Sequence, residues 1–195
     1  MYVHLGRFHD AHERMTQAIE LLREREEESE ELVRLYNSKA VLEYSLGLIN
    51  EQIGDREAAR AAYARALQED LGYHPAHMRL GELALAGGDT ATALGEMALA
   101  ADIGADDAFV LLRYGRVLHG VGQLDEAEAR LRRAIELEPL FAEPSLELAR
   151  VLESADRPDE ALAEYRAFVG KASRSHASLA DASRRIQALG SAGSR

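Results

Sequence analysis

Cysteine is absent from this chain, so disulfides and thiolate chemistry are excluded, while the redox compartment stays open. Positive charge is in deficit. The 34 acids oppose 23 lysines and arginines, giving a formal net charge of −11, which disfavours general binding to nucleic acid or an anionic membrane. No apolar stretch approaches the ~20 residues that span a bilayer. No signal peptide opens the sequence at Met1. The cytoplasm is therefore the default compartment, with the periplasm left open if Met1 is not the natural start. β-Branched residues are few, and Ala, Leu, Glu and Arg dominate, which favours helix throughout. Arginine far outnumbers lysine, a bias of the kind that high-GC bacterial genomes produce.

Catalytic signatures are missing as well. The sequence holds no nucleophile elbow, phosphate loop or dinucleotide fingerprint. Its seven histidines include two pairs at three-residue spacing, His9 with His12 and His74 with His77. Zincins need two His four apart with an internal Glu, so these pairs read as histidines on a helix surface. No enzyme activity, metal or cofactor is expected. What remains is a chain 47% hydrophobic, enough to bury a continuous core.

What is present is a period. Gly47, Gly81 and Gly115 lie 34 residues apart, with Ala149 in the next place. Gly54, Gly88 and Gly122 keep the same interval, with Asp156 fourth, and so do Ala59, Ala93, Ala127 and Ala161. A fixed period of that length in helix-forming sequence signals an array of helical repeats. Four units fit one phase: 40–73, 74–107, 108–141 and 142–175. Each carries two apolar-periodic stretches of helix length. In 108–141, Leu111, Tyr114, Gly115 and Leu118 share one face of a first helix, and Gly122 ends it. A second helix starts near Leu124, with Asp125 and Glu126 in the first turn, where the helix dipole favours acids. Its inner stripe is Ala127, Leu131 and Ala134, and Pro139 marks its end. The short side chains of Gly115 and Ala127 let the two helices approach closely.

These positions resemble the tetratricopeptide repeat. In that family large apolar residues occupy the fourth, seventh, eleventh and twenty-fourth places, Gly or Ala the eighth, Ala the twentieth and twenty-seventh, and Pro the thirty-second. Unit 108–141 matches at all of them. Unit 74–107 departs at His77 and Ala84, and unit 40–73 at Glu43 and Asn50. Unit 142–175, with Ser145, Phe168 and Ser173, is expected to be the loosest. The resemblance implies an all-α, right-handed superhelical solenoid of antiparallel hairpins. About four full repeats would be joined by an N-terminal half repeat and a C-terminal capping helix.

The half repeat is placed at 1–25. Gly6, Phe8, Ala11, Met15 and Ala18 have the spacing of a turn and second helix, and Tyr2 would end a first helix whose remainder is missing. An acidic helical extension at 26–39 follows. Glu24 to Glu31 hold six acids in eight positions. A new helix is expected near Ser29, carrying Leu32, Leu35 and Tyr36 into the first full unit. Leu179, Ala182, Ile186 and Leu189 mark a capping helix at 176–189, stopped by Gly190, before a disordered tail at 190–195.

The resemblance also implies a use. Tetratricopeptide arrays bind peptide along a concave face made by the first helices, at their second, fifth, sixth, ninth and twelfth places. Here the peptide-binding residues would be Tyr44, Leu48, Met78, Arg79, Glu82, Phe109, Leu112, Arg113, Arg116, His119, Leu146 and Arg150. Arginine grips carboxylates while Tyr, Phe and Leu bury side chains. The expected partner is a protein or peptide segment, apolar with acidic residues, and the expected role is a non-catalytic scaffold or adaptor. Chaperone-binding members clamp a C-terminal carboxylate at places held here by Tyr44, Leu48, Arg79, Phe109 and Arg113. Only Arg113 agrees, so that specificity is not expected. The alternatives are a homo-oligomeric scaffold, assembled through an uncovered apolar N-terminal edge at Phe8 and Met15, or a regulatory region cut from a larger enzyme or envelope-assembly protein.

Overall fold

A computed structural model of the protein describes residues 7–28 and 39–192. Ten helices and no strand occur among them. They are α1 (Phe8–Glu28), α2 (Lys39–Ile53), α3 (Arg56–Glu69), α4 (His74–Ala86), α5 (Thr90–Ile103), α6 (Ala108–Gly120), α7 (Leu124–Leu137), α8 (Ala142–Ser154), α9 (Pro158–Lys171) and α10 (Leu179–Ala192). They fall into two compact units divided after Ile103. In the first, α1 packs on α2, and the hairpins α2–α3 and α4–α5 meet through α3 and α4. In the second, hairpins α6–α7 and α8–α9 meet through α7 and α8, and α10 packs on α9.

The hairpin turns share one construction. One or two residues past the end of each first helix the chain turns with positive φ: 90° at Gly54, 83° at Gly88, 80° at Gly122 and 57° at Asp156. The next amide then bonds a carbonyl five residues back, Asp55 to Asn50, Asp89 to Ala84, Gln123 to Leu118 and Arg157 to Leu152, each at 2.9 Å. This closure satisfies carbonyls that a helix end leaves open. Glycine reaches positive φ without a steric penalty, whereas aspartate is strained there. Asp156→Gly should therefore stabilise the protein by about 0.5–1 kcal/mol, read as a higher urea midpoint. A lower midpoint would mean that the turn gains more from the aspartate side chain than it loses in strain.

Close helix approach explains the other periodic residues. Ala59, Ala93, Ala127 and Ala161 are all fully buried. A Cβ built on Gly47 would lie 2.3 Å from the Tyr63 ring, and one on Gly115 2.7 Å from the Leu131 side chain. The fourth hairpin is not loose, contrary to the sequence expectation. Nine of the thirteen residues of α8 are buried. Phe168 stands where the other hairpins carry Ala66, Ala100 and Ala134, and it is fully buried. It fills the larger space against α10, among Leu179, Ala182, Ile186 and Leu189.

Two boundaries differ or lie out of reach. Helix α10 runs through Gly190 to Ala192, because glycine inside a helix costs only ~1 kcal/mol and does not by itself stop it. Helix α1 extends to Glu28. Tyr2, Gly6, the helix expected from Ser29, the stripe Leu32, Leu35 and Tyr36, and the tail beyond Ala192 lie outside the described residues. The apolar N-terminal edge is partly covered. Met15 and Leu42 pack against the buried cluster of Ile19, Leu46 and Ala62, and Phe8 is half-buried.

Candidate functional site

Three of the four first helices carry a polar residue where the repeat pattern calls for a large apolar one, and each is buried. Glu43 is 1% exposed. One carboxylate oxygen accepts from Arg23 of α1 at 2.7 Å, the other from Arg65 of α3 at 2.9 Å. His77 places Nδ1 2.7 Å from the Glu96 carboxylate and Nε2 3.2 Å from the Leu71 carbonyl oxygen. Ser145 accepts from Lys171 at 3.0 Å. In each case a residue of the hairpin's own second helix supplies a partner. Sequence reasoning recorded Glu43, His77 and Ser145 only as departures, because the partner lies 19 to 26 residues away at no fixed place in the repeat. A second brace recurs at the twenty-fourth place, where the Tyr63 hydroxyl donates to Glu51 and that of Tyr165 to Glu153. Burial, then the bonded carboxylate, pushes both phenols well above their ordinary range.

In the first unit, the sequence-predicted binding residues Tyr44 and Leu48 are half-buried in the cluster around Tyr63. The Tyr44 ring lies 5.5 Å from that of Tyr63 and 5.4 Å from that of Tyr73. Met78 is buried. Arg79 bonds Glu82 at 3.0 Å and pairs with Glu51 at 3.8 Å. Burial opposes its charge, but hydrogen bonding to Tyr44 and the two carboxylates outweigh it and raise its pKa. Its Nε is buried and has no hydrogen-bond partner, alone among the described side chains.

In the second unit, Leu112 and Leu146 are 1% and 2% exposed. With Met78 they hold the fifth place of their first helices, and all three side chains are buried in the core. Leu146 sits with Ala149, Tyr165 and Phe168. The other predicted residues form one face. Phe109, Arg113 and Arg116 follow each other at four- and three-residue spacing along α6, which puts them on one stripe. Phe109 is 48% exposed, and the Arg113 guanidinium lies 5.8 Å from its ring centroid. Arg116 reaches α8, where its Nε is 2.9 Å and its Nη2 2.8 Å from one Glu147 oxygen. Arg150 bonds the same oxygen at 3.1 Å. Glu147 itself is buried. His119 meets the Ser154 hydroxyl at 2.9 Å, and that hydroxyl donates to the Arg150 carbonyl. His119 therefore donates from Nε2. The face thus combines an exposed aromatic ring with two guanidiniums that share a single carboxylate.

A family model described as tetratricopeptide repeat matches residues 44–108 and 113–177. No curated protein matches the chain. Solved structures do. A crystal structure of MamA superimposes with a TM-score of 0.67 at 19% identity, covering 76% of this chain and 85% of that one. YrrB, described as a TPR protein with an unusual peptide-binding site, gives 0.65 at 21% identity, covering 80% and 78%. TTC0263, a thermophilic TPR protein of Thermus thermophilus, gives 0.65 at 23%, covering 96% and 92%.

Proposed function

Because the chain belongs to the tetratricopeptide-repeat family, we propose that it is a non-catalytic adaptor. Its first-helix face on α6 and α8 would hold a peptide segment that pairs an acidic with an apolar side chain. The observation that carries this reading is the Arg116–Glu147–Arg150 trio beside Phe109. Two cations on one buried carboxylate leave a net charge of +1 on a strongly acidic chain, and both guanidiniums keep solvent-facing edges. A second carboxylate can complete them by charge-assisted hydrogen bonds, and the exposed Phe109 ring offers apolar area next to them. YrrB, with its peptide-binding site, supports this use of the fold. Arg79, with its unbonded Nε, would extend the same use to the first unit.

The trio also dictates the test. Reversing Arg116 and Arg150 to Glu would set new carboxylates against buried Glu147 and confuse binding with folding. Arg116→Gln or Arg150→Gln alone leaves Glu147 one guanidinium. A displayed random-peptide library should enrich sequences with Asp or Glu near a large apolar residue. Either Gln variant should weaken the selected peptide about tenfold, in keeping with one charged hydrogen bond at ~1.5 kcal/mol, with helicity by circular dichroism unchanged. Enrichment without acidic residues, or undiminished affinity in both variants, would sink the proposal.

A further inference from the structure

Glu43 and Glu147 are both buried carboxylates held by two arginines, yet the fold uses them differently. Glu43 meets Arg23 through one oxygen and Arg65 through the other, so both oxygens have a partner within the fold. At Glu147 every guanidinium nitrogen meets Oε1: Arg116 Nη2 at 2.8 Å, Arg116 Nε at 2.9 Å and Arg150 Nη1 at 3.1 Å. Oε2 accepts from no described group. It is not sealed from solvent either, because Arg79 Nε alone among the described side-chain atoms is both sealed and unbonded. Glu147 therefore keeps one oxygen open at the surface. Its buried position on α8 and the three nitrogens on Oε1 hold that oxygen in place.

We propose that Glu147 Oε2 accepts a backbone N–H from the bound peptide, an inference that rests on the α6–α8 peptide face described above. Glu147 is then a specificity-determining residue of that face and not only the counter-ion of its arginines. The argument is one of covering. A ligand carboxylate that bridges Arg116 and Arg150 comes beside Glu147, since both guanidiniums are fixed to its Oε1. Docking there takes water from Oε2. A charged oxygen that loses water without gaining a donor weakens binding. The ligand carboxylate has no proton to give, and its charge repels Oε2. The donor must be a second group of the same peptide, close to the acidic side chain. The N–H of the acidic residue, or of the residue after it, is such a donor in nearly every sequence. The site thus reads a carboxylate and an adjacent N–H together, through two guanidiniums and one carboxylate oxygen.

The test uses the full chain and an acid-bearing peptide selected from the displayed library, with both ends blocked so that no terminal ammonium can stand in for the N–H. Glu147→Gln leaves a carbonyl oxygen for the arginines and puts an NH2 group in place of Oε2. If Glu147 were a counter-ion only, the variant would raise the charge of the trio from +1 to +2 and bind the acidic peptide more tightly. The proposal expects the opposite sign, at least about tenfold weaker binding, as for a lost hydrogen bond to a charged group. Tighter or unchanged binding overturns it. A second arm separates reading from mere support of the guanidiniums. Peptides N-methylated at the acidic residue or at the next one are titrated against both proteins. One of them should lose at least about tenfold with the parent protein and no more than about twofold with Glu147→Gln, the signature of a coupled pair. Equal losses in both proteins, or no loss in either, overturn the proposal. Failure of the peptide face itself looks different. The library then returns no acidic peptide, or Arg116→Gln and Arg150→Gln lose nothing, and both inferences fall. If those arginine variants weaken the peptide while Glu147→Gln tightens it, the face stands and only the N–H contact is overturned.

Discussion

Phe168→Ala is expected to cost about 3–5 kcal/mol, the range for deleting a fully buried aromatic side chain. The loss should be local. Each repeat of a helical array contacts only its neighbours, and Phe168 joins α9 to α10 through Leu179, Ala182, Ile186 and Leu189. Its ring also meets His176 edge-on, with centroids 5.0 Å apart. Alanine suits this place in the other hairpins because another layout of neighbours closes over it, but α10 has no such neighbour to close the gap. Amide exchange across residues 179–192 should accelerate well before that of α6 and α7, and the urea midpoint should fall. Phe168→Leu should retain most of the stability. If α10 exchanges at its original rate in Phe168→Ala, the ring is not what holds the last helix.

Glu43→Lys should cost a similar ~3–5 kcal/mol, because it buries a cation between Arg23 and Arg65 where a carboxylate had balanced both. Glu43→Leu should lie within about 1 kcal/mol of the parent. Leucine restores the residue that the repeat pattern expects, and the two arginines are 46% and 35% exposed, so they recover water rather than remaining as buried charges. The two variants together separate burial from charge. The Arg23 bond is also a tie from α1 to the first full hairpin, so protease cleavage within α1 should speed up in both. A Glu43→Leu protein as unstable as Glu43→Lys would show that the ion triad is itself a major source of stability.

The period made the hairpins legible because it is enforced by sterics that each repeat meets alike. Gly54, Gly88 and Gly122 turn the chain, Ala59 and its counterparts admit the neighbouring helix, and both show as composition at fixed spacing. Depth was not legible. The helical phase places Leu112, Leu146 and Met78 on the ligand side of their helices, yet whether such a side chain reaches solvent depends on how far the adjacent first helix covers it. Pairing was only half legible. Arg150 beside Glu147 follows from helical spacing, but Arg116 with Glu147 spans 31 residues and two hairpins. Phe168 was misread as a weakness because its partner, α10, is not a repeat, and the pattern carries no term for it.

Three hairpins hold a buried polar contact at the same place, and no two of these contacts are chemically alike. Near-identical repeats invite a first helix to pair with the wrong second helix while the chain is still folding. Glu43 finds its guanidinium on its own α3 and would not find one on the next second helix, α5, where the matching place is Leu99. His77 finds its carboxylate on its own α5 and would not find one on the preceding second helix, α3, where the matching place is Ala62. Each exchange would strand a polar group in the core, a larger penalty than any difference in apolar packing between such similar helices. These contacts act as address labels that keep the neighbouring helices α3 and α5 in their own hairpins.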